Sequence, residues 1–297
     1  MKMRKRNLNN PVIFIYFCPV NLMGMKRFQL LAFAVLVSAS LSCVDKDAYN
    51  TNTDPAVTDD GQLYNSGFDL WTKDGKSYEC YGDGASQEQK KVWGSANSST
   101  ASLGKNTCVP ETSFLAESGE GKNAVMLKTQ IVNAVFVKKL AAGSIFTGQM
   151  GKVNLTKLSA TLKWGVPFTK RPLALEGYAC YKPVNIDVVK SPYEDRKGTL
   201  DNGHVFVLLT DWDGQFTVDP ASDKYVDIDN DPAIIGYGKV TFDHEMEDYE
   251  KFSIAIDYRN DRTPKYVVIV GSSSALGDYF TGGNGSTLYL DEFKFLY

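Results

Sequence analysis

Apolar side chains recur at every second position over most of this 297-residue chain. The alternation is clear in residues 158–164 and 252–258, whereas residues 204–210 and 266–270 are continuous apolar runs. A period of two is typical of strands with one buried face, and continuous runs are typical of strands covered on both faces. Beyond residue 61 the sequence keeps no helical period for three turns. The sequence therefore predicts an all-β fold, an antiparallel β-sandwich of the jelly-roll type.

The segment 164–183 contains a predicted strand with an unusually polar face. Its apolar side comprises Leu173, Leu175, Gly177, Ala179 and Tyr181. The opposite side comprises Glu176, Tyr178, Cys180 and Lys182. Two interpretations stay open: the polar side is either a solvated outer face or the floor of a ligand site. In the second case Arg171, just before the strand, and Asp257, on a neighbouring strand, would join the site.

The first 42 residues have the character of an export signal and not of a folded domain. They contain six basic and no acidic residues, and an apolar run follows Met25-Lys26-Arg27 and ends just before Cys43. This run is too short for a membrane-spanning helix. We interpret residues 1–24 as an upstream extension, 25–42 as a signal peptide, 43–61 as a polar linker and 62–297 as the β-sandwich domain.

Cys43 is the predicted site of lipidation, because small residues before a cysteine resemble a bacterial lipobox. Cleavage there would leave Cys43 as a lipid-bearing N-terminus, anchored in the outer membrane on its surface or periplasmic face. The alternative is cleavage by an ordinary signal peptidase near the same position. In either case we expect an exported protein.

The net charge excludes one class of partner. Residues 43–297 carry 26 Lys and Arg against 35 Asp and Glu, a net charge of −9. Nucleic-acid binding depends on neutralising phosphates with basic side chains. We therefore expect no nucleic-acid partner.

Cysteines and histidines limit the covalent and metal chemistry of the domain. Cys80 and Cys108 lie in polar, turn-rich sequence and are the predicted disulfide pair for an oxidising compartment, which leaves Cys180 unpaired. With only His204 and His244 and no Cys-x-x-Cys motif, the sequence does not favour a zinc site.

Tryptophans in polar loops are candidate platforms for sugar rings. Trp93 precedes Gly-Ser-Ala-Asn97, and Trp212 lies within Asp-Trp-Asp-Gly, so both are predicted to be exposed loop residues. The other possibility is that each one covers the core. Trp164 and Trp71 fit the apolar alternation and are predicted core residues.

Several short motifs occur in a characteristic order along the domain. They are Asn65-Ser-Gly-Phe-Asp-Leu-Trp71, Trp93-Gly-Ser-Ala-Asn97, Ala124-Val-Met-Leu-Lys-Thr129, Ala141-Ala-Gly-Ser-Ile-Phe-Thr-Gly148 and Gly282-Gly-Asn-Gly-Ser-Thr-Leu-Tyr-Leu-Asp291. Together they resemble the putative carbohydrate metabolism domain, a family of outer-membrane lipoproteins from glycan-degrading Gram-negative bacteria. The resemblance covers residues 63–297 and implies a jelly roll similar to carbohydrate-binding modules.

This resemblance implies a glycan partner but no certified active site. We expect a cell-envelope lipoprotein that binds an oligo- or polysaccharide without cleaving it. The residues predicted to bind the ligand are Trp93, Asn97, Arg171, Glu176, Tyr178, Lys182, Trp212 and Asp257. The alternatives are a glycoside hydrolase or lyase that uses a carboxylate pair on the same face, and a structural or adhesive surface subunit.

The resemblance also implies a structural calcium ion near the two ends of the domain. In similar modules an acidic residue near each end shares such an ion. The matching positions are Asp69 and Asp291, although Asp69 stands where Glu is more usual. Calcium takes six to eight oxygens, so backbone carbonyls and water would complete its shell. The alternative is two solvated aspartates, and no other cofactor is expected.

Overall fold

A computed structural model of the chain describes residues 55–116, 121–134, 137–154 and 159–297. The predicted signal peptide, most of the predicted linker, and Cys43 lie outside these residues. The described strands are β1 (Thr72–Asp74), β2 (Ser77–Glu79), β3 (Trp93–Ser95), β4 (Cys108–Glu111), β5 (Ala124–Lys128), β6 (Gln130–Ala134), β7 (Val137–Ala141), β8 (Ser144–Asn154), β9 (Ser159–Trp164), β10 (Val166–Pro167), β11 (Ala174–Lys182), β12 (Gly203–Thr210), β13 (Phe216–Val218), β14 (Ile234–Phe242), β15 (Glu250–Ala255), β16 (Asp257–Tyr258), β17 (Tyr266–Ser272) and β18 (Thr287–Leu296).

Helical structure in the described residues is confined to short turns. The α-helix α1 spans Asn97–Thr100, and the 3-10 helices span Gln89–Lys91, Ala101–Leu103, Glu194–Arg196, Pro220–Ser222 and Gly277–Tyr279. In this part of the chain we find no helix long and apolar enough to cross a membrane.

The strands form two large antiparallel sheets that pack face to face, so the predicted antiparallel β-sandwich is confirmed. The nine-stranded sheet has the order β13-β9-β8-β17-β12-β14-β16, with β10 paired to β17 and β3 paired to β8. The five-stranded sheet has the order β15-β11-β18-β5-β4. Two small hairpins, β1-β2 and β6-β7, complete the described strands. The architecture is that of a jelly roll.

The main hydrophobic core lies between the two sheets. Val205, Val207 and Leu209 of β12 point into it from the nine-stranded sheet, and Leu288 and Leu290 of β18 point into it from the five-stranded sheet. The spacing of two residues within each set follows from the alternation of side chains along a strand. Each of these side chains is fully buried.

A second hydrophobic cluster covers the other face of the nine-stranded sheet. It contains Phe206 and Leu208 of β12, Val268 and Val270 of β17, and Trp212 from the following loop. These positions alternate with the core positions on the same strands. The continuous apolar runs at 204–210 and 266–270 are therefore strands covered on both faces, as predicted.

Strand β11 has the predicted location but differs from the prediction at two positions. Leu173 lies just before the strand begins at Ala174 and is 65% exposed, because it does not face the core. Cys180 is fully buried, although it was predicted on the outward side. Its thiol contacts the backbone oxygen of Met246 at 3.5 Å, because the segment before β15 covers this part of the sheet.

Candidate functional site

Trp93 and Trp212 are buried, so the prediction that they form an exposed platform for sugar rings is wrong. Trp93 lies on β3 at 3% exposure and donates its indole N–H to the backbone oxygen of Tyr64 at 2.9 Å. Trp212 is 8% exposed and donates its indole N–H to Asp231 Oδ2 at 2.9 Å. In both cases a polar partner inside the protein satisfies the indole, so polar sequence neighbours did not indicate exposure.

Asn97 has a structural role and not the predicted ligand-binding role. It is fully buried at the start of α1. Its amide nitrogen donates to the backbone oxygens of Tyr78, at 2.9 Å, and Cys108. Its amide oxygen accepts from the backbone N–H groups of Thr107 and Cys108. Because both ends of the amide are occupied, Asn97 joins the helix to β2 and β4.

The polar side of β11 forms ion pairs with its own neighbours. Glu176 Oε2 lies 2.8 Å from Lys251 Nζ of β15, and Lys182 Nζ lies 4.0 Å from Glu245 Oε1. Tyr178 is half-buried opposite Lys251. This arrangement supports the solvated-face interpretation, because the charges of Glu176 and Lys182 already have partners on the protein.

Arg171 and Asp257 lie away from that face. The Arg171 guanidinium lies 4.0 Å from the ring centre of Tyr258, and it donates to the backbone oxygens of Asn260 and Arg262. Asp257 is exposed on β16, which pairs with β14 of the nine-stranded sheet. The prediction that Asp257 shares the polar side of β11 is therefore wrong, because the chain crosses to the other sheet after β15.

The predicted disulfide is not present in the structure. Cys80 and Cys108 are both free thiols, and both are buried in the main core and not in exposed turns. Burial raises the pKa of each thiol well above its usual value. A charge on Cys108 would raise the pKa of Cys80 further, so the two side chains are near neighbours.

Asp69 and Glu292 both lie beside Gly67, and Asp291 precedes Glu292 on β18. Asp291 is buried and accepts hydrogen bonds from the backbone N–H groups of Ala116 and Glu292. Burial raises its pKa to about 6, and the charges of Glu292 and Asp69 add to the effect. Asp69 accepts from the backbone N–H groups of Lys122 and Asn123. Both carboxylates thus contact backbone donors.

The predicted calcium site at these residues stays a prediction. Within the described ranges, we find no group of three or more His, Cys, Asp or Glu side chains arranged to hold a metal ion. Residues 117–120, which lie between Ala116 and Lys122 in the chain, are outside those ranges. The carboxylates are the kind of ligand that calcium prefers, so the donor chemistry fits even though a full oxygen shell is not assembled by the described side chains.

An apolar groove of about 130 Å³ lies against the outer face of β8 and β9. Its floor includes Phe146 and Met150 of β8 and Leu162 of β9, and Leu140 of β7 forms one wall. These side chains point away from the main core because they occupy the alternate strand positions. Phe280 also lines the groove, and its ring lies beside Lys139 of β7. The groove is the kind of concave, largely apolar site in which ligands bind.

Three tyrosines form what we call the tyrosine cluster: Tyr193, Tyr225 and Tyr279. The cluster lies next to the groove through Asp278 but supplies none of its described lining side chains. The ring of Tyr279 lies 5.0 Å from that of Tyr193 and 4.7 Å from that of Tyr225. All three are partly exposed, and Tyr279 stands in the chain between two residues that line the groove. The Tyr225 hydroxyl donates to the backbone oxygen of Asp278 at 3.2 Å, and burial raises its pKa to about 12. The rings are partly exposed and can therefore offer apolar surface to a ligand.

The backbone at Phe280 is held in an unusual conformation. Its φ angle is +54°, in the left-handed region that a residue with a large side chain rarely adopts. Such a conformation costs on the order of 1–3 kcal/mol and persists where the surroundings impose it. The result is that Phe280, at the end of the 3-10 helix Gly277–Tyr279, turns toward the groove.

Two charged residues are among the described lining of the groove, and a third lies beside it. Lys139 of β7 and Asp278 both line the groove, and Asp278 is the one carboxylate among its described lining residues. The Lys139 ammonium lies 4.4 Å from the ring centre of Phe280, and that of Lys190 lies 5.2 Å from the same centre. The groove therefore combines aromatic surface with a small number of charged groups.

His204 lies on the same outer face as Phe206 but does not provide acid–base chemistry. It is buried, its Nδ1 has no hydrogen-bond partner among the described residues, and its ring centre lies 5.4 Å from that of Phe206. Burial lowers its pKa to about 3, and the charge of Lys239 contributes to the lowering. The imidazole is thus neutral at any physiological pH.

A second cleft, of about 240 Å³, lies near the start of β17 and is lined by Gln149, Gln215 and Tyr266. Its amides already contact other protein groups: Gln149 donates to Gln215 at 3.4 Å, and Gln215 donates to the backbone oxygen of Gly165 at 2.9 Å. The φ of +110° at Gly165 lets Tyr266 pack directly against the backbone. This cleft is more polar than the groove. It contains one aromatic side chain, whereas the tyrosine cluster beside the groove contains three.

The tyrosine cluster, Phe280, Lys139 and Lys190 were not among the sequence-based predictions. Tyr193 follows Ser-Pro, Tyr225 follows Asp-Lys, and Phe280 follows Gly-Asp-Tyr. Aromatic residues directly after turn-forming residues are a signal of loop-borne side chains that a search restricted to tryptophan passes over. Their mutual contact could not be predicted, since they lie far apart in the chain.

Two solved structures share this fold at low sequence identity. One is described as a putative glycoside hydrolase from Bacteroides thetaiotaomicron, with a TM-score of 0.57 at 20% identity over 78% of this chain and 70% of its own. The other is described as a putative glycoside hydrolase from Bacteroides vulgatus, with a TM-score of 0.55 at 19% identity over 76% of this chain and 94% of its own. At this level of identity the likeness extends to the fold alone.

A family 16 carbohydrate-binding module is a more distant match, with a TM-score of 0.30 at 12% identity over 64% of this chain and 86% of its own. No curated protein matches the sequence. The family model described as "Putative carbohydrate metabolism domain" matches residues 67–296. Because that match covers most of the chain and nearly all of the β-sandwich, the protein belongs to the putative carbohydrate metabolism domain family.

Proposed function

We propose that the protein binds glycan without cleaving it, and that the ligand lies in the groove against the tyrosine cluster. The observation that carries this proposal is the contact of Tyr193, Tyr225 and Tyr279 beside a concave apolar surface. The C–H faces of pyranose rings stack on aromatic side chains, while charged groups bind the hydroxyls at the ring edge. Family membership supports a carbohydrate ligand.

The groove's charged groups favour binding over hydrolysis. Cleavage of a glycosidic bond generally uses two carboxyl groups, about 5–10 Å apart on either side of the bond. Among the described residues that line the groove, Asp278 supplies one. The neutral His204 does not substitute for the second carboxylate as a proton donor or acceptor. We therefore assign the groove a binding role.

The proposal is tested with a glycan array followed by titration calorimetry on the full-length chain in detergent. Tyr193→Ala and Tyr225→Ala should each weaken binding about tenfold, because each removes stacking surface. Tyr178→Ala is the matched control on the polar side of β11 and should leave affinity unchanged. Failure of the chain to bind any glycan would contradict the proposed function. Loss of binding in Tyr178→Ala alone would move the site to β11.

We further propose that the protein is a lipoprotein anchored through Cys43 in the outer membrane. The sequence before Cys43 supports this proposal. Cys43→Ala should remove palmitate labelling and release the chain from the membrane fraction or leave its signal uncleaved. Unchanged labelling and fractionation would contradict it.

A further inference from the structure

Two lysines converge on one aromatic ring at the wall of the groove. Lys139 Nζ lies 4.4 Å and Lys190 Nζ lies 5.2 Å from the ring centre of Phe280. Lys139 comes from β7, and Lys190 comes from the segment between β11 and β12, so two distant parts of the chain bring these charges together. An aromatic ring attracts a cation by about 0.5–1 kcal/mol at a partly exposed site, which holds each ammonium in place without neutralising it.

Neither lysine forms an ion pair within the described part of the chain. Four other lysines there do: Lys91 with Glu88, Lys182 with Glu245, Lys251 with Glu176, and Lys265 with Asp213. The domain as a whole carries an excess of acidic residues, so carboxylates are plentiful. Most of the other described lysines also form no ion pair, so the distinctive feature is that Lys139 and Lys190 both approach the ring of Phe280 beside the groove. A bound anion would complete this pair of positive charges.

The environment of Lys139 is one that an anion would make more favourable. Partial burial lowers the pKa of Lys139, and the positive charge of Lys190 lowers it further. A like charge nearby destabilises the protonated form, and an opposite charge stabilises it. A bound anion would relieve this repulsion and would also form charge-assisted hydrogen bonds with the two ammonium groups.

We propose that the ligand of the groove is an acidic glycan, whose carboxylate or sulfate group binds between Lys139 and Lys190. This inference rests on the proposed function and specifies the class of sugar. The tyrosine cluster contacts the C–H face of a sugar ring, and Asp278, the carboxylate of the described lining, accepts from hydroxyls.

The experiment compares acidic polysaccharides with matched neutral forms on the full-length chain in detergent. The probes are polygalacturonate and alginate with their carboxyl-reduced forms. Chondroitin sulfate, which carries both groups, is compared with its desulfated form, its carboxyl-reduced form and the form that has undergone both treatments. Binding to the acidic forms should be at least tenfold tighter than binding to the neutral forms. It should weaken as the salt concentration is raised, since the two lysine charges are partly exposed. The carboxylate and sulfate arms distinguish the two sources of the negative charge.

Charge-removing variants locate the effect. Lys139→Gln and Lys190→Gln should each lower affinity for the acidic form about tenfold and should lower affinity for the neutral form much less. Lys138→Gln is the matched control, because it removes the same charge from an exposed neighbouring position of β7. Lys138→Gln should change neither the affinity for the acidic form nor the affinity for the neutral form.

The outcomes separate this inference from the function on which it rests. Equal binding of acidic and neutral forms, or equal effects of all three lysine variants, would overturn the acidic-glycan inference and leave glycan binding intact. Absence of binding to every polysaccharide would overturn the proposed function, and this inference with it. A tenfold preference for the acidic forms, with affinity lost only in Lys139→Gln and Lys190→Gln, supports both the acidic-glycan inference and the proposed function.

Discussion

The hydroxyl of Ser274 donates a 2.6 Å hydrogen bond to the carboxylate of Asp201, deep inside the protein. The same carboxylate accepts from the hydroxyl of Ser286 at 2.9 Å and from the backbone N–H of Gly283 at 2.7 Å. Asp201 thus connects the entry of β12 with the segment between β17 and β18. That segment carries Tyr279 and Phe280, so this buried group supports the wall of the groove.

Asp201→Ala should destabilise the protein by about 3 kcal/mol, because it leaves several buried donors without an acceptor. Asp187→Ala is the control: Asp187 accepts a backbone N–H from Asn284 at 2.8 Å but is exposed, so its loss should cost about 0.5 kcal/mol or less. Urea unfolding monitored by tryptophan fluorescence measures both free energies. Equal stability of the two variants would show that the buried network does not support the loop.

Trp93→Ala should cost about 3–5 kcal/mol of unfolding free energy, the usual cost of truncating a buried aromatic side chain. The ring packs edge-on against Phe68, with centres 5.2 Å apart, and its N–H is bound by Tyr64. Trp93→Phe keeps most of the ring and should cost roughly half as much, because it loses the hydrogen bond. Thermal unfolding measures the loss of stability in each of the two variants. A fully stable Trp93→Ala variant that fails to bind glycan would restore Trp93 to the ligand site.

The strands could be predicted from sequence because their signal is local. Side-chain alternation along β12 and β17 depends only on the residues of each strand and on burial, and both strands lie where the apolar runs indicated. The resemblance to the family rested on short motifs in fixed order, and the family match confirms it.

The site could not be predicted in the same way because its residues meet only after folding. Tyr193, Tyr225 and Tyr279 belong to three loops, and nothing in any one loop indicates the other two. Trp93 shows the complementary error: its polar neighbours suggested a loop, but β3 pairs with β8 and places Gly94 and Ser95 in the interior as well. Burial of small polar residues depends on strand pairing, which the local sequence does not reveal.

His204 should make the protein less stable as the pH falls. Its pKa is about 3 in the folded protein and about 6.5 in the unfolded chain, so the unfolded chain binds one more proton between these values. The contribution of His204 is therefore fully present above pH 6.5 and is lost at about 1.4 kcal/mol per pH unit below it. Urea unfolding from pH 7 to pH 4 measures this dependence.

Comparing the pH dependence of unfolding between wild type and His204→Leu separates the contribution of His204 from that of the acidic groups that titrate in the same pH range. His204→Leu should remove this component of the slope, because leucine fills the buried position without binding a proton. Identical pH profiles for wild type and His204→Leu would contradict the assignment.

Calcium should raise the melting temperature of the protein if Asp69 and Asp291 hold it, as the sequence predicts. An ion that binds only the folded state stabilises it by mass action, by about 2.7 kcal/mol at a concentration of 100 Kd. Asp291→Asn keeps the shape of the buried side chain while removing its charge, so it should abolish the increment without unfolding the domain. Asp257→Asn removes an exposed carboxylate and should keep the increment. A melting temperature that responds to neither excess calcium nor chelator would show that Asp69 and Asp291 do not form a calcium site.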